Sequence, residues 1–175
     1  MRCYVDRVSE TNRPRRSDLV RNAVFVVLVP GVIGGLVPWL ISGYERHVWE
    51  SFDVVVVALA SVLIVTGAAV LLYGVWRFAA DGRGTPSPTA PTERLVVAGP
   101  YRYVRNPMYL AVGAVILGQV LLFYSPALVV YALAFSVAVV TFVKIYEEPT
   151  LQRTFGDEYS EYRSRVPGWW PRRPR

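Results

Sequence analysis

With 175 residues the chain has room for one domain or one compact bundle, and its 53% hydrophobic residues are gathered into long runs, which marks a membrane protein over a soluble core. The formal net charge of +6 resides in basic residues that flank those runs and build no separate basic domain, so retention on one membrane face accounts for them and nucleic-acid binding is set aside. One Cys and one His exclude a Cys/His metal cage and any disulfide within the chain.

Residues 1–21 carry six Arg against Asp6, Glu10 and Asp18 and form a basic cytoplasmic arm, in which Cys3 reads as an unmodified thiol. The first apolar run, about residues 23–41, is long enough to cross roughly 30 Å of hydrocarbon as a helix. It has no small-residue cleavage site after it and reads as a retained anchor. Pro30 and Pro38 should kink it, and Gly31, Gly34 and Gly35 should admit a neighbouring helix. The loop 42–53 has a net charge of −2 and holds His47 as a solvated histidine. The second run, 54–76, repeats small residues every seven positions at Ala60, Gly67 and Gly74, a spacing suited to a helix–helix seam. These two spans make up 22–80. The linker 81–92, with Gly82, Gly84, Pro86, Pro88 and Pro91, forbids regular structure.

The third run, 108–123, and the fourth, 127–146, are separated by Tyr124, Ser125 and Pro126 alone, a break short enough to make an antiparallel hairpin with an uncharged tip. Ala114/Gly118 and Ala134/Ala138 have the spacing that permits tight packing in lipid. Basic excess alternates from one flank to the next: +3 in the arm, −2 in the first loop, +3 over 77–105, zero at the tip and +2 over 144–175. The expectation is an all-α polytopic membrane protein of four transmembrane helices with both termini cytoplasmic.

Two polar blocks then face the same side. The first is GPYRYVRNPMY, residues 99–109, where Pro100 and Pro107 disfavour helix at the residues before them and so frame an ordered turn. The turn ends by starting the third span, whose first N–H groups make a seat for a ligand's acceptor group. The second block begins with Glu147 and Glu148 at the end of the fourth run, where the helix macrodipole and the lipid boundary both oppose negative charge. A cation is expected beside them. Lys144, Arg102 or Arg105 in an interfacial ion-pair cluster is one source, and a cationic ligand is the other. An aromatic and Arg belt explains Tyr101, Arg102, Tyr103 and Arg105 but not the repeated X-Pro turns.

GPYRYVRNPMY, an apolar hairpin, the Glu147–Glu148 pair and FGDEYSEYRSRVP at 155–167, in that order, closely resemble the isoprenylcysteine carboxyl methyltransferase family and its relatives among integral-membrane phospholipid and thiol methyltransferases. The resemblance covers about 93–167, and the first two spans show nothing comparable. It implies a methyltransferase-like catalytic half with a cytoplasmic pocket for S-adenosylmethionine, built without a Rossmann fold. By that resemblance Leu95, Val96, Tyr101, Asn106, Pro107, Met108 and Tyr109 line the cofactor, and Glu147 holds its adenosyl or amino-acid part with Glu148 beside it. Arg105 takes the place of the family's arginine and orients a carboxylate of cofactor or acceptor. Asn106 stands where many members have His. Val143 stands where the carboxyl methyltransferases have an arginine, and neighbouring Lys144 is turned by about 100°.

Methyl transfer from a sulfonium is an in-line displacement that needs alignment and exclusion of water but no metal. The expected partners are the bilayer and a lipophilic acceptor entering from it. Isoprenylcysteine-type carboxyl O-methylation, or a related acid or thiol, is the first reading, because no histidine is poised for an amine. Phospholipid N-methylation, a sterol-type reductase using NADPH and a non-catalytic scaffold stay open beside it. Tyr159, Tyr162 and Arg163 form either a lid or an amphipathic surface helix. The tail 168–175, with Trp169, Trp170 and three Arg, reads as an interfacial anchor.

Overall fold

The computed structural model describes residues 30–44, 53–81 and 95–172, and every regular element among them is helical. The basic arm with Cys3, the beginning of the first apolar run, the loop with His47, the linker after residue 81 and the last three residues lie outside the described residues. Helix α1 (Val37–Ser42) continues a π-helical turn, Val32–Leu36. Then come α2 (Asp53–Asp81), a 3-10 turn (Gly99–Arg102), α3 (Pro107–Phe123) and α4 (Pro126–Phe142). A second π turn (Val143–Glu147) carries α4 into α5 (Glu148–Arg165).

Among the described residues two helices are long and apolar enough to cross a membrane, Val54–Gly74 within α2 and the continuous helix Pro126–Arg165, while Val32–Ser42 and Pro107–Phe123 are shorter apolar helices. Their outer faces are what lipid requires. Val54, Leu59, Val62 and Val65 of α2 and Val130, Leu133 and Val137 of α4 are all exposed, an arrangement that water would penalise and hydrocarbon does not.

The expected seam pairs α2 with α3. Ala60, Gly67 and Gly74 are buried, and a Cβ on Gly67 would stand 2.7 Å from the Ala111 carbonyl oxygen. From the other side, a Cβ on Gly118 would stand 2.8 Å from the Ala60 carbonyl oxygen. Each helix places glycine where the other's backbone passes, the close approach that holds helices together where lipid is as apolar as the side chains. Ala134 and Ala138, by contrast, are exposed on α4 and join no seam among the described residues. Of the three glycines in the first run, Gly34 alone meets another helix among the described residues, against Val112 and Val115 of α3.

The expected kink at Pro38 takes the form of the π turn before it. Pro38 has no N–H to return to the carbonyls of Ile33 and Gly34, and an unmet carbonyl in hydrocarbon is costly. Neighbouring helices supply the donors: Gln119 Nε2 of α3 to the Gly34 oxygen at 2.6 Å, and the Tyr131 hydroxyl of α4 to the Ile33 oxygen at 2.7 Å. At the hairpin tip Tyr124 adopts the left-handed conformation (φ 44°) and its N–H donates to the Val120 carbonyl at 2.9 Å, after which Pro126 opens α4. Tyr44, just past α1, stacks on Phe123 at the same end, with ring centroids 4.6 Å apart. The opposite end gathers the polar blocks.

Candidate functional site

Gly99, at φ 61°, lets the chain enter the 3-10 turn that Pro100 continues, and Asn106 precedes Pro107 at the first position of α3. No side chain caps α3. The Asn106 amide nitrogen instead donates to the Gly168 carbonyl at 3.0 Å, beside backbone bonds from Arg105 N to the Pro167 oxygen (2.9 Å) and from Arg172 N to the Tyr103 oxygen (3.0 Å). The tail after α5 is therefore a strap laid across the turn. It passes so close that a Cβ on Gly168 would lie 3.2 Å from Arg105 Nη2.

The α4–α5 helix brings the acids to the same place. The Tyr109 hydroxyl donates to Glu147 Oε2 at 2.9 Å. Arg105 Nη1 donates to Glu148 Oε1 at 2.8 Å and to the Tyr159 hydroxyl oxygen at 2.9 Å, while Arg163 Nη2 stands 3.6 Å from the other Glu148 oxygen. Halfway along α5, Gly156 takes φ 52° and ψ −120°, a conformation closed to L side chains, and bends the second half of the helix over the turn. That bend buries Tyr159 and lets the Tyr162 hydroxyl donate to the Tyr101 carbonyl at 2.8 Å.

The two acids do not end a helix, as the sequence reading had them, because the π turn carries α4 into α5 without a break. Burial therefore replaces the macrodipole as the force acting on them, and it divides the pair. Glu148 has the ion-pair cluster expected of an interfacial protein, in Arg105 and Arg163. Glu147 forms no ion pair with a cationic side chain among the described residues, and Tyr109 is its hydrogen-bond partner. Burial pushes the Glu147 carboxyl above the usual range; the Tyr109 hydrogen bond pulls it down and the Glu148 charge adds to the rise. Burial also pushes the Tyr101 hydroxyl up, with Tyr162, Glu147 and Tyr109 adding to the effect, so these groups surround one point.

Of the residues named from sequence, Tyr101, Arg105, Asn106, Pro107, Tyr109, Glu147 and Glu148 are brought together with the turn and the acids. Val96 is buried and Leu95 half-buried where the chain enters the turn. Met108 turns toward α2, its Cγ lying 3.4 Å from where a Gly74 Cβ would be. Val143 is buried and Lys144 exposed, so the π turn after α4 places an apolar side chain inward where an arginine was in question. Tyr159 and Tyr162 close over the cluster from α5. The roles of Gly156 and Gly168 had no reading from sequence, although a glycine inside a polar helical stretch is a signal for the first.

Beside the cluster, along the α3–α4 hairpin, runs an apolar cavity of about 480 Å³ whose walls include Tyr109 and Gly113 of α3, Phe135 and Val139 of α4, Leu63 of α2 and Trp169 of the strap. Tyr109 belongs to both sites, with its hydroxyl on Glu147 and its body against the cavity.

Among the described residues, an all-helical scaffold with apolar outer surfaces and a polar cluster beside an apolar cavity defines a protein of the helical membrane class. A family model described as phospholipid methyltransferase matches residues 55–158, more than half of the sequence, and the chain belongs to that family of membrane methyltransferases, part of the isoprenylcysteine carboxyl methyltransferase-like group. No curated protein and no solved structure matches the chain. The match reaches back through α2, beyond the 93–167 where the resemblance was read. What α2 contributes is the small-residue face on which α3 sits, a feature without polar motif residues.

Proposed function

We propose that the protein transfers a methyl group from S-adenosylmethionine to a lipophilic acceptor at the cytoplasmic face of a membrane that four helices cross, with both termini cytoplasmic. Glu147 carries this reading: a carboxylate drawn out of water, oriented by Tyr109 and without a cationic side-chain partner among the described residues. The ammonium and sulfonium of S-adenosylmethionine fit such a group. The uncapped first turn of α3 adds N–H donors for the ligand's carboxylate or adenine. Leu95, Val96, Tyr101, Asn106 and Pro107 form the wall of that pocket in this reading.

When bound, the cofactor supplies a methyl on a positively charged sulfur, open to in-line displacement. The protein's part is placement and dryness. Glu147 holds the positive end, Tyr109 fixes the carboxylate, and Tyr159 and Tyr162 cover the cluster against water. Arg105 and Glu148 act as a pair that holds the turn against α5, through Nη1 of the arginine bonded to Glu148 and Tyr159, while its buried Nε has no partner among the described residues. The family match favours methyl transfer over the hydride chemistry of a sterol-type reductase.

For the acceptor, the apolar cavity supports a lipid-type molecule. Both arginines that reach the cluster are held by Glu148, and Val143 is apolar. A neutral nucleophile, a thiol or an amine such as a phospholipid headgroup offers once deprotonated, therefore suits the site better than the isoprenylcysteine-type carboxylate of the first reading. In detergent, S-adenosylhomocysteine should raise the melting temperature and NADPH should not, and Glu147→Gln should abolish the rise. An undiminished rise in that variant would remove Glu147 from the cofactor site. Methyl incorporation compared across phosphatidylethanolamine, long-chain thiols and prenylcysteine analogues then separates the acceptors.

A further inference from the structure

Trp169 and Trp170 are adjacent in a polar tail, yet they do different things. Trp170 is 83% exposed, whereas Trp169 is partly buried and forms part of the wall of the apolar cavity. The strap sets this difference. Hydrogen bonds at Pro167 and Gly168 on one side and at Arg172 on the other pin the chain around residue 169 to the turn before α3. A Cβ at 168 would stand 3.2 Å from Arg105 Nη2, a tight contact that glycine avoids where the backbone runs past the guanidinium and delivers the next side chain into the cavity.

The cavity extends along α3 from Tyr109 to Leu117, about 12 Å of helix rise. Trp169 comes from the strap that is bonded to Arg105 and Asn106, immediately before α3, and so enters at the Tyr109 end. That end is the polar one, because the Tyr109 hydroxyl lies on Glu147. The remaining walls are apolar apart from Ser136, whose hydroxyl is spent on the Ala132 carbonyl at 2.8 Å. A volume of about 480 Å³ is in the range of small-molecule sites. An indole is amphipathic and rigid, a suitable stop between an alkyl chain and a polar centre.

We propose that Trp169 is the specificity-determining residue of the acceptor site: an alkyl chain occupies the cavity, and the indole limits the bulk allowed next to the acceptor's reacting atom. The word acceptor rests on the methyl-transfer reading; the seat of an alkyl chain against Trp169 does not.

Two measurements on the full-length protein in detergent test this. In variants that keep Trp169 or Trp170 as the single tryptophan, dibromostearate should quench Trp169 fluorescence with saturation and Trp170 only weakly and linearly. Equal or unsaturable quenching of the two overturns the proposal. In the methyl-transfer assay, Trp169→Ala should raise the rate with long-chain tertiary thiols relative to primary ones by about tenfold or more, with S-adenosylhomocysteine stabilisation kept and Trp170→Phe like the parent. An unchanged primary-to-tertiary ratio in Trp169→Ala also overturns it. Saturable quenching without methyl transfer to any acceptor would sink the methyltransferase reading and leave the alkyl seat at Trp169 standing.

Discussion

The guanidinium of Arg105 donates to Glu148 at 2.8 Å, and through that bond the turn before α3 is joined to the first residue of α5, 43 positions along the chain. The two side chains are only 13% and 17% exposed. Removing one partner leaves the other charge largely desolvated, so Arg105→Ala or Glu148→Gln should each destabilise the protein by about 3 kcal/mol. The double variant Arg105→Ala/Glu148→Gln should cost less than the sum of the single changes. Unfolding in detergent, run as a double-mutant cycle, reads this coupling directly.

Glu147 predicts a pH dependence of known sign. Its carboxyl is raised in the folded protein, chiefly by burial, so it contributes stability below the unfolded pKa that is lost as pH rises through the folded value. A bound cation needs the carboxylate, and S-adenosylmethionine affinity should therefore strengthen as pH rises through the same value. Glu147→Gln cannot ionise and should flatten both curves. Melting temperature and calorimetric affinity, each measured across mildly acidic to neutral pH, check the pair of slopes.

The α2–α3 seam has no room for a methyl group. Gly67→Ala and Gly118→Ala each place a Cβ within 3 Å of a backbone oxygen of the facing helix, so the helices must move apart at a cost of about 1–3 kcal/mol. Because α3 carries Tyr109, the shift should also weaken S-adenosylhomocysteine binding. Melting curves with and without that ligand separate the two effects. A variant that melts like the parent would show that the seam gives way freely.

Gln119 and Tyr131 complete the hydrogen bonding of the bend at Pro38. Gln119→Leu and Tyr131→Phe each strip a donor from a carbonyl in the first helix, and each should cost about 1 kcal/mol, in line with interhelical hydrogen bonds in lipid. Neither side chain belongs to the polar cluster, so cofactor affinity should hold while denaturant midpoints fall.

Much of the architecture was legible because it depends on local chemistry. Apolar runs locate the helices, three residues at 124–126 allow only a tight return, and the seven-residue row of Ala60, Gly67 and Gly74 marks the face that packs. Connectivity alone requires the block ending at Tyr109 and the acids at 147–148 to return to one side, and the Tyr109–Glu147 hydrogen bond shows that they do. The same spacing rule misread Ala134 and Ala138, since small residues permit a seam only where a partner helix arrives.

By itself, then, the sequence determined an all-helical membrane chain, the residues that gather at its polar end and the family to which it belongs, because hydropathy, helix breakers and motif order act over short stretches. Tertiary structure alone decided which of two adjacent acids pairs with arginines and which, among the described residues, takes a tyrosine hydrogen bond instead. Arg105 bonds Glu148, and Tyr109 bonds Glu147, at the point where the π turn passes into α5. The inward turn of Trp169 was decided in the same way, by a strap whose glycine lies where a Cβ would stand 3.2 Å from a guanidinium, a proximity that no local pattern encodes.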